Sequence, residues 1–317
     1  MILRFGYVSM ALALWEASPS RTCTFTNWKK LNEECRLEKL YELTEQNLRN
    51  TIRILHYNIA HEIEVYRMSS SLIPLAAHPE VEWEYIDPFR ELFLEIGTLV
   101  KKHKLRVSFH PGQYTLFTSP QKHITANAII DLTYHYRMLE AMGLHEDSTM
   151  NIHVGGAYGN KEAAIERFDH NFPKLDQNIR MRMTLENDDR TYTAEETLRV
   201  CERHGTPFVF DYHHHWANSV DTEFEDLLPR IFATWERTGL VPKFHLSSPK
   251  SEKLIRAHAD YVDIDFAMPF IKALKAYGQS ADIMIESKMK DQAALKIVEE
   301  VGKARGFKRI KGGTIEA

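Results

Sequence analysis

The chain has 317 residues, 44% of them hydrophobic and 26% charged, with 14 Gly and 12 Pro; this balance excludes collagen-like, low-complexity and membrane-spanning classes and leaves a globular fold with a large core. A formal charge of −4, from 40 basic and 44 acidic residues, gives no bulk argument for nucleic-acid binding, yet does not exclude it, because only the surface that meets phosphates need be basic and cation-binding carboxylates inflate the acidic count. Three isolated cysteines, Cys23, Cys35 and Cys201, form neither a disulfide framework nor a C-x-x-C metal knuckle, and there is no secretory signal pattern or apolar span, so a reducing, cytoplasmic setting without membrane association is expected.

In chain order, short β-rich runs alternate with amphipathic stretches. Residues 2–8 form the first predicted strand, followed by a long connection over 10–32 and a helix over 33–55. A strand over 64–68, a connection over 69–85 and a helix over 86–103 come next. Strands over 105–109, 150–154, 181–186 and 207–211 then precede helices over 123–142, 160–175, 194–204 and 223–237. The strand over 242–246 leads to a helix over 266–277, and the strand over 282–286 to one over 290–304. Eight strand–helix units predict an α/β fold, a single (β/α)8 TIM barrel filling residues 1–317 as one domain. The short run 261–264 is read as part of a connection; a ninth strand there would point instead to an open doubly wound sheet.

The chemistry-bearing residues recur at strand ends. His110 follows the third strand, His153 lies near the end of the fourth, Glu186 ends the fifth, Asp211 ends the sixth with His214 beyond it, His245 lies near the end of the seventh, and Glu286 ends the eighth. One such histidine would be an ordinary hydrogen-bonded residue; six consecutive strands delivering His, Glu or Asp to one rim describe a metal site. Imidazole mixed with carboxylate suits Zn, Mn or Fe better than Ca or Mg, and the ligands are too many for one ion. His78 and His258 lie in connections without that warrant, and Asp260 and Asp263 are either partners that orient an imidazole or plain surface acids. Neither a G-x-S-x-G elbow nor a Walker A loop is present. The glycines at 155, 156 and 159 instead suit a rim loop that packs closely. His213 and His215 flank the Asp211-x-x-His214 pair without a defined role.

These residues sit in words such as SFHPGQYTLFTSP at 108–120, NIHVGGAYGNK at 151–161, RMTLENDDRTYTAEE at 182–196, PFVFDYHHH at 207–215, HLSSPKSE at 245–252, RAHADYVD at 256–263 and IMIESK at 283–288. Through nearly its whole length the sequence resembles the UV damage endonuclease family, itself similar to endonuclease IV and the xylose isomerase-like barrels. The resemblance implies a Mn2+-dependent, Zn2+-tolerant phosphodiesterase with up to three ions. It would act on double-stranded DNA immediately 5′ to cyclobutane pyrimidine dimers and (6–4) photoproducts, leaving a 3′-hydroxyl and a 5′-phosphate. It raises His78 and His258 to metal ligands beside His110, His153, Glu186, Asp211, His214, His245 and Glu286, with Glu186 bridging. Catalysis would rest on Glu186, Lys243, His110 and His153, Lys243 matching a lysine carboxylated on its side-chain nitrogen. Gln113 and Tyr114 would probe the duplex at the lesion, with Tyr7 near displaced nucleotides. Met10 stands where the family usually has asparagine, which puts one polar contact in doubt. The expected chemistry is in-line attack by cation-activated water, in a monomer without an obligate protein partner. A sugar isomerase or epimerase on the same barrel is the rival enzyme class, and a lesion-binding protein with a structural metal cluster is the non-enzymatic rival.

Overall fold

The computed structural model describes residues 1–218 and 223–317. Eight parallel strands close into a barrel: β1 Ile2–Val8, β2 Val65–Arg67, β3 Arg106–Phe109, β4 Thr149–His153, β5 Met183–Glu186, β6 Phe208–Asp211, β7 Lys243–Leu246 and β8 Ala281–Ile285. Closure is made by β8 against β1, with Leu3 opposite Ala281 and Tyr7 opposite Ile285, so the doubly wound alternative does not apply. The long helices α1 Glu33–Ala60, α2 Arg90–Lys102, α3 Lys122–Ala141, α4 Lys161–Asn171, α5 Ala194–His204, α6 Phe224–Trp235, α7 Ile264–Tyr277 and α8 Lys290–Lys303 surround it.

Period-two alternation sorts the side chains of each strand. Leu3, Phe5, Phe208, Phe210, Ile283 and Ile285 are fully buried in the main hydrophobic core. The alternate positions face the barrel interior, where Val8, Val65 and Met284 of three neighbouring strands form a small separate apolar cluster. Gly6 lies at a close approach of two strands, since a Cβ there would fall 2.1 Å from the Val65 carbonyl oxygen. Helix starts follow capping chemistry. Asn32 accepts from Cys35 N at the head of α1, and Thr193 and Glu196 form a reciprocal capping box on α5, which ends at left-handed Gly205.

The predicted and observed elements differ where polarity masks periodicity. Helix α1, expected over 33–55, runs on to Ala60, and Asn58 in the added turn is buried and accepts from the Tyr7 hydroxyl. Helix α4 stops at Asn171 because Pro173 opens a 3-10 turn over Phe172–Lys174. Residues 261–264 form no strand; Asp263 caps α7, accepting from Asp265 N and Phe266 N. Two antiparallel hairpins escaped the sequence reading: Pro249–Ser251 with Leu254–His258, and Lys308–Lys311 with Thr314–Glu316, whose second strand also pairs with β1. Lys308–Lys311 is exposed at every position, so it carries no buried alternation to read.

Beneath the mouth, the barrel floor is held by an ionic group. Asp282 is 0% exposed, receives Arg4 Nε at 2.7 Å on one oxygen and takes Arg106 Nη1 at 2.5 Å on the other. Replacing Asp282 by Ala strands a buried guanidinium, and the expected loss is about 3–5 kcal/mol in denaturant unfolding; a loss under about 0.5 kcal/mol, the usual range for surface sites, would refute the structural role assigned to this group.

Candidate metal centre

Glu186, at the end of β5 and 1% exposed, is the point where the rim residues converge. Its Oε2 lies 3.1 Å from His110 Nε2 and accepts a hydrogen bond from Asn151 Nδ2. Its Oε1 lies 3.1 Å from His245 Nδ1 and 3.4 Å from His214 Nδ1. Three groups have ligand atoms close enough to share an ion: His110, His153 and Glu186; Glu186, Asp211 and His214; and Glu186, His245 and Glu286. Glu186 belongs to all three. The fit to cations shows in what the protein leaves unsatisfied: Glu186 Oε1, Asp211 Oδ2, His153 Nδ1 and His245 Nδ1 are buried without a hydrogen-bond partner. Buried lone pairs of this kind are costly unless something fills the space between them.

The second atoms of these side chains are held by the frame. His110 Nδ1 donates to Pro111 O at 3.0 Å, His214 Nδ1 to Asn187 O at 3.0 Å, and His258 Nδ1 to Glu286 O at 2.8 Å. Asp211 Oδ1 accepts from His214 N at 2.7 Å, and Asn187 brackets the Asp211 backbone in both directions. Burial would raise the carboxyl of Glu186, but the charges of His245 and His153, the hydrogen bond of His110 and the nearby His214 hold it well below its usual range. Burial alone would lower His245; Glu186 and Glu286 outweigh it and push the imidazole up to about 9. Burial lowers His153, whose neighbours His110 and His214 add to the effect against Glu186.

The structure thus brings together His110, His153, Glu186, Asp211, His214, His245 and Glu286. His258 sits at the edge, its Nδ1 4.0 Å from Glu286 Oε2. His78 lies apart from the three groups: its ring stacks on Phe25 at 4.1 Å and its Nδ1 accepts from Glu80 N. His213 is tied into the frame, its Nδ1 accepting from Ser247 Oγ and its Nε2 donating to Ile255 O. Asp263 is occupied as the cap of α7 and does not orient an imidazole. Arg67 and Asn151 were not anticipated, although Arg67 ends β2 and pairs with Glu286, and Asn151, two residues before His153, shares its face of β4.

Lys243 begins β7 below the rim, 2% exposed, with Nζ donating to Ser108 Oγ at 2.8 Å. Burial, reinforced by the Arg106 charge, drives its amine well below the usual lysine range despite Asp282. Gln113 and Tyr114 are exposed on the loop after β3, with Tyr114 at 78%. A cavity of about 420 Å³ joins this loop to His110, His153 and His214, with Gly155 and Arg190 on its wall. Gly155, at φ +124°, admits no side chain, since a Cβ would fall 2.4 Å from Thr118 Oγ1. Tyr7, which the resemblance places near displaced nucleotides, is 0% exposed here, and its hydroxyl donates to Asn58 of α1. Met10, half-buried beside the mouth, offers no polar side-chain group.

A family profile described as UV-endonuclease UvdE matches residues 3–317. The UV DNA damage endonuclease of Bacillus pumilus (strain SAFR-032) is 60% identical over 317 residues, covering 100% of this chain and 99% of that one. The crystal structure of SacUVDE superposes with a TM-score of 0.85 at 31% identity, covering 95% of this chain and 98% of that one. L-ribulose 3-epimerase, at 16% identity and a TM-score of 0.52 over 75% of this chain and 76% of that one, shares the barrel fold alone. With residues 3–317 matched by the profile and a relative 60% identical over 317 residues, this chain belongs to the UV-endonuclease UvdE family.

Proposed function

We propose that the chain, as one domain and a monomer in the cytoplasm, is a metal-dependent DNA-repair endonuclease that hydrolyses the phosphodiester bond immediately 5′ to cyclobutane pyrimidine dimers and (6–4) photoproducts, leaving a 3′-hydroxyl and a 5′-phosphate. The observation that carries this reading is the meeting of three ligand groups on Glu186 at the mouth of a barrel, in a chain of this family. Three free cysteines suit the reducing compartment.

His110, His153, Glu186, Asp211, His214, His245 and Glu286 would hold the divalent ions, Mn2+ by preference and up to three, with Glu186 shared between them; His258 and His78 are the outer candidates. When bound, such ions activate water for in-line attack and offset charge on the phosphate and the leaving 3′-oxygen. The side chains need no nucleophile of their own. Asn151 and His110 fix the orientation of Glu186, while Arg67 holds Glu286. Gln113 and Tyr114 stand out beyond the rim, where an amide can meet base edges and a ring can replace lost stacking. This projecting loop favours a duplex over a free sugar as substrate.

Glu186→Gln is expected to keep the barrel folded, lower bound metal and abolish nicking of a dimer-containing duplex. Metal analysis with circular dichroism and product mapping tests this; normal stoichiometry together with parental cleavage would sink the bridging role. Lys243, buried with its Nζ donating to Ser108 Oγ and its amine held well below the usual lysine range by burial and the Arg106 charge, is set to add carbon dioxide, its nitrogen lone pair forming the C–N bond as a proton leaves. Native mass measurement in bicarbonate should find the added carboxyl group, and an unmodified amine in well-metallated crystals at neutral pH would count against it. Tyr114→Ala should weaken binding and cleavage of dimer duplex about tenfold, ~1.4 kcal/mol, with metal content and melting temperature unchanged; parental rates on that substrate would remove Tyr114 from recognition.

A further inference from the structure

We infer that Trp15, on the loop after β1, is a second base-stacking contact for lesion-containing DNA, independent of Tyr114; the inference rests on the nuclease reading above. Four aromatic side chains are exposed among the described residues: Trp15, Tyr114, Tyr158 and Trp216. Each follows the carboxyl end of a barrel strand, namely β1, β3, β4 and β6, so all stand on the face that bears the metal groups. Trp15 is the most exposed, at 82%. A ring of that size in water is a standing cost that contact with a partner removes.

The backbone below it is fixed. Asp291, at the start of α8 and 0% exposed, accepts from Leu12 N at 2.6 Å and Ala13 N at 3.3 Å, and is itself held by the Tyr57 hydroxyl at 2.9 Å. Arg53 of α1 donates to the Trp15 carbonyl at 2.9 Å and to Asn50 Oδ1 at 3.1 Å. Glu16 takes a left-handed φ of 49°, a conformation that persists only when its surroundings hold it. The loop is therefore a braced support for an indole that packs on little of its own protein. Such pre-organisation lowers the entropy lost on contact.

The partner follows from the location. Strand β1 lies across the barrel from β5, which carries Glu186, so DNA spanning the mouth with its phosphate at Glu186 extends toward the Trp15 rim. Intact duplex offers that indole only stacked bases and sugar–phosphate edges; a lesion that unstacks its neighbours exposes base faces. An indole suits such a face without reading sequence.

The test uses the full Mn2+-loaded chain, Trp15→Ala and Trp15→Phe, with a labelled duplex bearing one cyclobutane dimer and its undamaged counterpart. Binding is read by anisotropy, and strand cleavage, metal content and melting temperature are read on the same samples. Trp15→Ala should bind the dimer duplex about tenfold more weakly and the undamaged duplex within about twofold of the parent, while Trp15→Phe recovers most of the loss. Parental affinity of Trp15→Ala for the dimer duplex, or equal weakening on both duplexes, overturns the inference. A parent protein that leaves the dimer duplex uncut overturns the nuclease reading instead, and the binding comparison still decides the role of Trp15.

Discussion

Glu186 is a carboxylate with almost no access to water, and the design of the barrel mouth follows from keeping it charged. Burial alone would protonate it; the imidazoles of His245, His153, His110 and His214 reverse that outcome. They arrive from four different strands or strand ends, so the arrangement exists only when the barrel is closed. Stability must come from elsewhere, because a buried carboxylate among imidazoles at best offsets its own desolvation. It comes from the layer between strands and helices, where Phe5, Phe93, Phe168, Phe210 and Ile283 are fully buried. The division allows the interior of the barrel to be polar without costing the fold its core.

A second ionic layer lies beneath the first. Arg4, Arg106 and Asp282 join β1, β3 and β8 at the floor, and Lys243 reaches from β7 to Ser108 of β3 between floor and mouth. In this position burial first, and then the charges of Arg106, Arg67 and Arg4 against that of Asp282, hold the amine well below the usual lysine range. An anionic form would reverse every one of those interactions. The low-dielectric barrel amplifies the difference, since charges screened weakly by water act strongly on one another. The interior is thus balanced between layers, and the protonation or modification of one residue in the middle is felt by both.

The regular features of this architecture were readable from residues alone. Strand ends carrying His110, Glu186, Asp211, His245 and Glu286 were legible because strand periodicity and turn position together determine which residue meets the rim. Other features depend on contacts that periodicity does not encode. The first helix, expected over 33–55, continues past Asn58, a buried acceptor for Tyr7. Arg67, given no role within the strand expected over 64–68, holds Glu286. Tyr7, which the resemblance places near displaced nucleotides, is buried in the main core as an odd position of a strand whose even position Val8 belongs to the separate inner cluster. His78 illustrates the converse: a loop histidine has no strand to aim it, and here it stacks on Phe25.

The acidic balance of the chain also acquires a location. A net charge of −4 seems unsuited to a polyanionic substrate only if charge is spread evenly. Glu186, Asp211 and Glu286 concentrate negative charge inside the mouth, where divalent cations would more than neutralise it and present a positive face to phosphate. On the function proposed above, attraction of the backbone would depend on metal loading, and selection among DNA sites would fall to uncharged groups on the rim. Gln113 and Tyr114 project there, and Trp15 rises on a loop tied down by Asp291 and Arg53. Phosphate contacts are the same on damaged and intact DNA, whereas exposed base faces are not. A surface that relied on lysine and arginine alone would hold intact duplex as firmly as damaged duplex; one that leaves its charge inside the barrel and displays aromatic rings outside gains most of its affinity where bases have already come apart.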